Sequence, residues 1–324
     1  MFHGDSPALE KENGSELPVI ETTKYASPAL CKTEVGIFVL GMLRSGTSAT
    51  ARAINLLGVP TCVTSDLRSA GEYNPKGHWE SRSLYLLNRE LLRHLGRAWV
   101  CPPPVELTRE GLFLMPFEEA QRTFKAAHPT AQWVWKDPTT CLTLPFWLAA
   151  LSVSPVFVLV VRNPLEVAES MRLRWPQFPK EVSLALWERY MRHALTHIRG
   201  MPVFVSRYED MLKDPDGWCT EISSFLTSAG VTLPSASGGP AVNAFLEQDL
   251  YHARYRWRDL VNDPAVSPVQ CKLYQLLCEL AGPTWSWKLP PLPPEGEEVE
   301  AHIVRFSSLL YGLPNVPLKK RMLN

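Results

Sequence analysis

Residues 41–48, Gly-Met-Leu-Arg-Ser-Gly-Thr-Ser, place two glycines, one arginine and three hydroxyl side chains directly after the apolar run Ile37-Phe38-Val39-Leu40. Such a loop lets backbone N–H groups converge on an anion, and the helix-compatible stretch Thr47–Leu57 behind it can aim its positive end at the same point. Gly41 and Gly46 have the spacing of a Walker A loop, but Thr47 stands where that motif requires lysine. The cation has moved into the loop, to Arg44, whose planar fork can clamp an anionic group while Ser45, Thr47 and Ser48 supply hydroxyls. A loop altered in this way suits a nucleotide whose terminal group is not a γ-phosphate.

A second anion site is written at residues 156–170. Val156-Phe157-Val158-Leu159-Val160-Val161 is continuously apolar, as in a parallel strand buried on both faces, and it ends in Arg162-Asn163-Pro164. Pro164 is suited to open a helix. Ser170, eight residues beyond Arg162, then lies about two turns along it, so both side chains can reach one phosphate at the carboxyl edge of a sheet. A third segment, Arg207-Tyr208-Glu209-Asp210-Met211, follows the apolar strand Val203-Phe204-Val205.

In this order the three segments resemble the sulfotransferases that use 3′-phosphoadenosine 5′-phosphosulfate (PAPS). There a (Lys/Arg)-Ser-Gly-Thr-(Thr/Ser) loop holds the 5′-phosphosulfate, an Arg-Asn-Pro…Ser element holds the 3′-phosphate, and a tyrosine placed like Tyr208 lies by the adenine. The resemblance covers residues 35–230 and implies a P-loop-like sulfotransferase fold. It also implies PAPS as co-substrate, with Arg44, Ser45, Gly46, Thr47, Ser48, Arg162, Ser170 and Tyr208 as donor-binding residues. Asn74-Pro75-Lys76-Gly77-His78-Trp79-Glu80 and Trp135-Lys136-Asp137-Pro138 look like the prokaryotic-type branch; the latter replaces the Lys-Thr-His type segment that carries the catalytic histidine of cytosolic relatives.

In-line sulfuryl transfer requires three things: a grip on the leaving phosphate, a cation for the bridging oxygen, and a base for the acceptor proton. Arg44 and the loop amides fit the first. Lys136 fits the second, or is held in an ion pair with Asp137 or another carboxylate. For the base, the resemblance points to Glu80. His78 has the closer intrinsic basicity, and Glu72 is a third choice. Glu80 could instead serve as first-turn charge for a helix starting near Ser81. Metal is not called for. Two rivals stay open, a kinase-like P-loop enzyme and a catalytically inactive PAPS-binding scaffold.

The elements that must position these residues alternate strand and helix between residues 35 and 230, which implies a doubly wound parallel sheet flanked by helices. Leu84, Leu87, Leu91, Leu92 and Leu95 form one stripe on a helix expected over Ser81–Leu95. The reading divides the chain into a flexible segment 1–34, a sulfotransferase domain 35–288, and a Pro-rich linker with a C-terminal helix and tail, 289–324. Residues 231–243 read as loop. Arginines 254, 256 and 258 stand near aromatic residues, as a donor cation or a solvated basic face. The helix expected after Pro294 can dock on the body or on a partner.

The 324 residues carry 33 basic and 33 acidic side chains, so no global field favours nucleic acid or an anionic membrane. No apolar run is long enough to span a bilayer, and no hydrophobic signal core precedes the first strand. The seven scattered cysteines lack disulfide or zinc spacing, which points to reduced thiols in a cytoplasmic protein. A small-molecule or carbohydrate acceptor is expected, for which eleven tryptophans, Trp79, Trp99, Trp147 and Trp175 among them, offer stacking walls or core bulk. A homodimer is compatible with this reading.

Overall fold

The computed structural model describes residues 34–72, 74–105, 116–234, 238–246, 254–288 and 290–311. Residues 1–33 of the N-terminal segment lie outside them.

Strand β1 (Glu34–Leu40) is an interior strand, and it begins one residue inside the segment assigned to the N-terminal extension. It pairs in parallel with β2 (Gln132–Lys136) on one side and β3 (Val153–Val161) on the other, and β3 pairs in parallel with β4 (Val203–Arg207). A short β5 (Gly282–Thr284) closes the order β2-β1-β3-β4-β5 and runs antiparallel to β4, an addition the sequence reading did not contain. The chain moves from β1 to one side and then crosses to β3 on the other. The carboxyl ends of β1 and β3 therefore flank a topological switch point, where open α/β sheets hold ligands.

Period-2 alternation sorts the strand side chains onto two buried faces. Phe38, Leu40, Trp133, Trp135, Phe157 and Leu159 face one way, under α2 (Arg82–His94), α4 (Thr140–Ala150) and α6 (Lys180–His197). Ile37, Val39, Val134, Val156, Val158 and Val160 face the other, under α1 (Thr47–Leu56) and α8 (Pro215–Ser228). The first face is aromatic: Phe38 stacks on Phe157 with ring centroids 5.4 Å apart and meets Trp133 edge-on at 5.2 Å. Helix α3 (Phe117–Ala127) adds Phe124 to this cluster.

Helix α5 (Pro164–Arg174) starts as its sequence dictates, with Pro164 in the first turn and the Asn163 side chain accepting from the Leu165 N–H at 3.0 Å. Helix α7 (Tyr208–Lys213) follows β4 directly, and the stretch 231–243 read as loop contains the start of α9 (Gly239–Phe245). Beyond α10 (Trp257–Asn262) and α11 (Pro268–Glu279), α12 (Glu297–Tyr311) docks on the body. Val299, Ile303 and Phe306 are buried, and Arg189 of α6 binds Glu295 at 2.6 Å and Glu300 at 2.8 Å. No described helix is long and apolar enough to cross a membrane.

Candidate active site

The loop between β1 and α1 has the backbone that its glycines permit. Gly41 has φ 145°, and a Cβ there would lie 2.8 Å from the Val160 carbonyl of β3; Gly46 has φ 96°, and a Cβ there would lie 2.2 Å from the Tyr208 ring. Arg44 between them adopts a left-handed φ of 68°. Gly46 is the N-cap of α1 and no side chain caps that end, nor is there an acid in the first turn. Its N–H groups and positive pole are thus presented to an anion.

The two arginine motifs meet. The Arg44 Nε donates to Ser170 Oγ at 3.0 Å, and Arg162 donates from one guanidinium nitrogen to the Arg44 carbonyl at 2.9 Å. Arg162 also pairs with Glu166 at 2.9 Å, and its guanidinium lies 5.1 Å from the centroid of the Tyr208 ring. Burial, then the Arg162 and Arg174 cations, draw the Arg44 guanidinium below its ordinary pKa. Like charges held this close favour a bound anion.

These groups line a cavity of roughly 400 Å³. Of the eight donor residues named from sequence, Arg44, Gly46, Thr47, Ser48, Arg162, Ser170 and Tyr208 line it, and Glu72 does too. Ser45 does not: it is buried, and its Oγ has no hydrogen-bond partner. The opposite wall is a loop that sequence reasoning quoted without assigning to the donor. Asn74 donates to Ser48 Oγ at 3.3 Å, Lys76 binds the Phe245 carbonyl, and the Arg52 guanidinium sits 4.1 Å from the centroid of the Trp79 ring. Phe245 and Leu246 at the cavity's end arrive from a remote segment that carried no motif.

Glu80, Lys136 and His78 are not among the residues that line this cavity. The Lys136 ammonium binds one oxygen of Glu80 and Arg68 binds the other; both Lys136 and Glu80 are buried. The helix cap considered for Glu80 is instead Ser81, whose Oγ accepts from the Leu84 N–H at 3.1 Å. Lys136 pairs with Glu80 and not with its neighbour Asp137. That carboxylate is held by Asn88 at 2.8 Å and by the Thr139 N–H and hydroxyl at 2.9 and 2.8 Å. Burial raises the Glu80 pKa, but Lys136 and Arg68 outweigh it, and the net shift is downward. Burial takes the Lys136 ammonium down as well, against the attraction of Glu80. The ionised carboxylate is the firmer half of this pair, because it is shared by two cations while Lys136 has only part of one anion. Burial draws His78 to about 4, against the pull of Glu80, so its imidazole is neutral at pH 7. Asn74 approaches its Nδ1 at 3.4 Å.

A cationic anion cradle at the switch point of a doubly wound sheet defines a P-loop-like group-transfer fold. A model described as the sulfotransferase family matches residues 36–229, more than half of the chain, and the chain belongs to that family. No curated protein matches it. Among solved structures it is similar to the sulfotransferase domain from the curacin biosynthetic pathway at 16% identity, covering 86% of this chain and 98% of that one with a TM-score of 0.39. A second is the sulfotransferase domain from the Synechococcus PCC 7002 olefin synthase, at 15% identity, 88% and 98% coverage and a TM-score of 0.36. Among the described residues no group of His, Cys, Asp and Glu side chains is arranged to hold a metal.

Proposed function

We propose that the chain transfers a sulfuryl group from PAPS to a hydroxyl or amine of a small-molecule or carbohydrate acceptor and releases 3′-phosphoadenosine 5′-phosphate (PAP). The observation that carries this reading is the Arg44–Ser170–Arg162 junction. One arginine comes from the loop after β1 and another from the end of β3; they are linked by hydrogen bonds, and both line one cavity. A donor with phosphates at two positions needs two such cations, and Arg44 in place of a Walker lysine favours a phosphosulfate over a γ-phosphate.

In this reading the open first turn of α1, Thr47, Ser48 and Arg44 hold the 5′-phosphosulfate, and Arg162 with Ser170 holds the 3′-phosphate. The acceptor oxygen attacks sulfur as the bond from sulfur to the bridging oxygen breaks. The electron pair stays on the departing phosphate, and the acceptor proton passes to a base. Glu80 is the proposed base, since its carboxylate is ionised and adjoins Lys136, the proposed cation for the developing charge. Both are buried against each other, so each must exchange partners during the reaction. The exchange has an electrostatic logic: an ammonium drawn to the phosphosulfate leaves Glu80 with one cation fewer, and the burial that opposes its charge then makes it a stronger base.

Calorimetry tests the donor. PAP should bind without Mg²⁺ and much more tightly than ATP–Mg²⁺; the reverse order would favour the kinase-like rival. Binding of PAP without release of PAP from PAPS, over a broad acceptor set, would favour the inactive scaffold.

A further inference from the structure

Next to the buried pair stands a cationic and aromatic ladder that the transfer step does not use. Arg68, bound to Glu80, sits over Tyr85 with its guanidinium 4.0 Å from the ring centroid. Arg89, one turn further along α2, approaches the same ring at 5.4 Å and donates to the Tyr85 hydroxyl. The contacts Lys136–Glu80–Arg68–Tyr85–Arg89 are continuous from the end of β2 to the half-buried rim of α2.

Charge at this corner does not balance. The chain as a whole is neutral, yet Lys136 and Arg68 share the single carboxylate Glu80, and Arg89 has no carboxylate partner among the described residues. The other acids nearby are engaged. Asp66 accepts from the Ser83 N–H at 3.0 Å and from the hydroxyls of Ser81 and Ser83, Asp137 is held by Asn88 and Thr139, and Glu90 pairs with Arg93. On the other flank the Arg174 guanidinium lies 5.3 Å from the Trp175 ring centroid, close enough to Arg44 to oppose its charge. With a donor on Arg44 and Arg162, and Arg68 paired with Glu80, Arg89 is the cation at this corner left without a carboxylate among the described residues.

The geometry points to an acidic acceptor: we propose that the molecule sulfated by this protein carries a carboxylate or sulfate group near its reactive hydroxyl, bound by Arg89 with Arg68 and Tyr85. The inference rests on the sulfotransferase reading above and adds the acceptor's charge class. Arg89 spends one N–H on the Tyr85 hydroxyl and keeps others that can take a carboxylate, while Arg68, itself paired with Glu80, adds positive charge beside it. A neutral acceptor would leave the Arg89 charge half-buried and unmatched.

The test uses the full chain saturated with PAP for binding, or with PAPS for turnover. It compares matched pairs, 4-nitrophenyl β-D-glucuronide against the β-D-glucoside and 4-hydroxyphenylacetate against its amide. The acid of at least one pair should bind or react 10- to 100-fold better, the range of one charge-assisted contact. Arg89→Gln should reduce that acid-to-neutral ratio about tenfold, Arg89→Lys should restore part of it, and Arg89→Glu should invert it. PAP affinity and melting temperature, measured on each variant, separate this from misfolding. Acid-to-neutral ratios within twofold of one in every pair, or a ratio unchanged in Arg89→Gln, overturn the proposal. If PAP itself does not bind, the donor reading has failed instead.

Discussion

At the end of β1 the anion ligands come from consecutive residues and the uncapped first turn of α1, while at the end of β2 the ammonium of Lys136 meets a carboxylate 56 positions away. The first region is made largely of main chain and opens to a cavity. The second is made of long side chains that satisfy one another in the interior. The difference teaches how the two halves fail. Main-chain ligands cannot be mutated away, so the donor wall should lose affinity in moderate steps. A buried ion pair loses its compensation with one substitution, so the catalytic corner should lose stability or turnover at once.

The largest expected effect separates chemistry from structure within that corner. Glu80→Gln should lower turnover by a factor of about 10²–10⁴ with PAP affinity nearly unchanged, measured by PAP release and calorimetry. His78→Asn in the same assay sharpens the comparison: if it alone loses turnover, the proton goes to His78, and if neither does, Glu72 on the cavity wall is next. Lys136→Met leaves Glu80 with Arg68 as sole counter-ion and should cost about 3 kcal/mol of unfolding free energy, read from denaturant curves. An unchanged midpoint would show that the pair contributes nothing net.

On the donor side, Arg162→Ala should cost about 2–3 kcal/mol of PAP binding and far less for adenosine 5′-phosphosulfate, which lacks the 3′-phosphate. Equal losses would show that Arg162 does not read that phosphate. Gly46→Ala forces an L side chain into φ 96° against Tyr208 and should weaken PAP binding and stability by about 1–3 kcal/mol.

Read per pH unit, the smallest effect concerns protonation. Burial takes the imidazoles of His128 and His193, which do not line the cavity, to about 3. Between that value and the ordinary pKa near 6.5 the unfolded chain binds more protons than the folded one, so stability is lost as pH falls through this window. The slope should be on the order of 1 kcal/mol per unit for each histidine. A variant such as His193→Gln, stable enough to fold, should show a shallower decline. Glu80 adds a loss of the same sign below the ordinary carboxylate range, because its folded pKa is depressed.

The four parallel strands were legible because each contains an unbroken apolar run, and the donor residues because each motif sits immediately after its strand. Arg162 and Ser170 could be placed near one phosphate from helical rise, and the resemblance put Arg44 on the same donor. What could not be read depends on contacts between distant segments. Nothing local tells that Lys136 reaches Glu80, that Arg68 joins them, or that Phe245 closes the cavity. Ser81 was the better cap candidate on residue type, and Glu80 drew attention only through its motif. Gly282-Pro283-Thr284 has no apolar alternation to announce a strand and exists because β4 offers an open edge. Ser45 faced the anion in the sequence reading, but the left-handed turn at Arg44 goes with a buried Ser45 hydroxyl.

The hydrogen bond from Arg162 to the Arg44 carbonyl has a practical side. It fastens two positive groups together before any ligand arrives, so the empty protein is spring-loaded toward whatever anion its buffer contains. Phosphate or sulfate in a storage solution would quiet that repulsion, protect the fold against heat and occupy the place proposed for the donor. A preparation that looks most robust in such a buffer would then be the one that works least well in an assay.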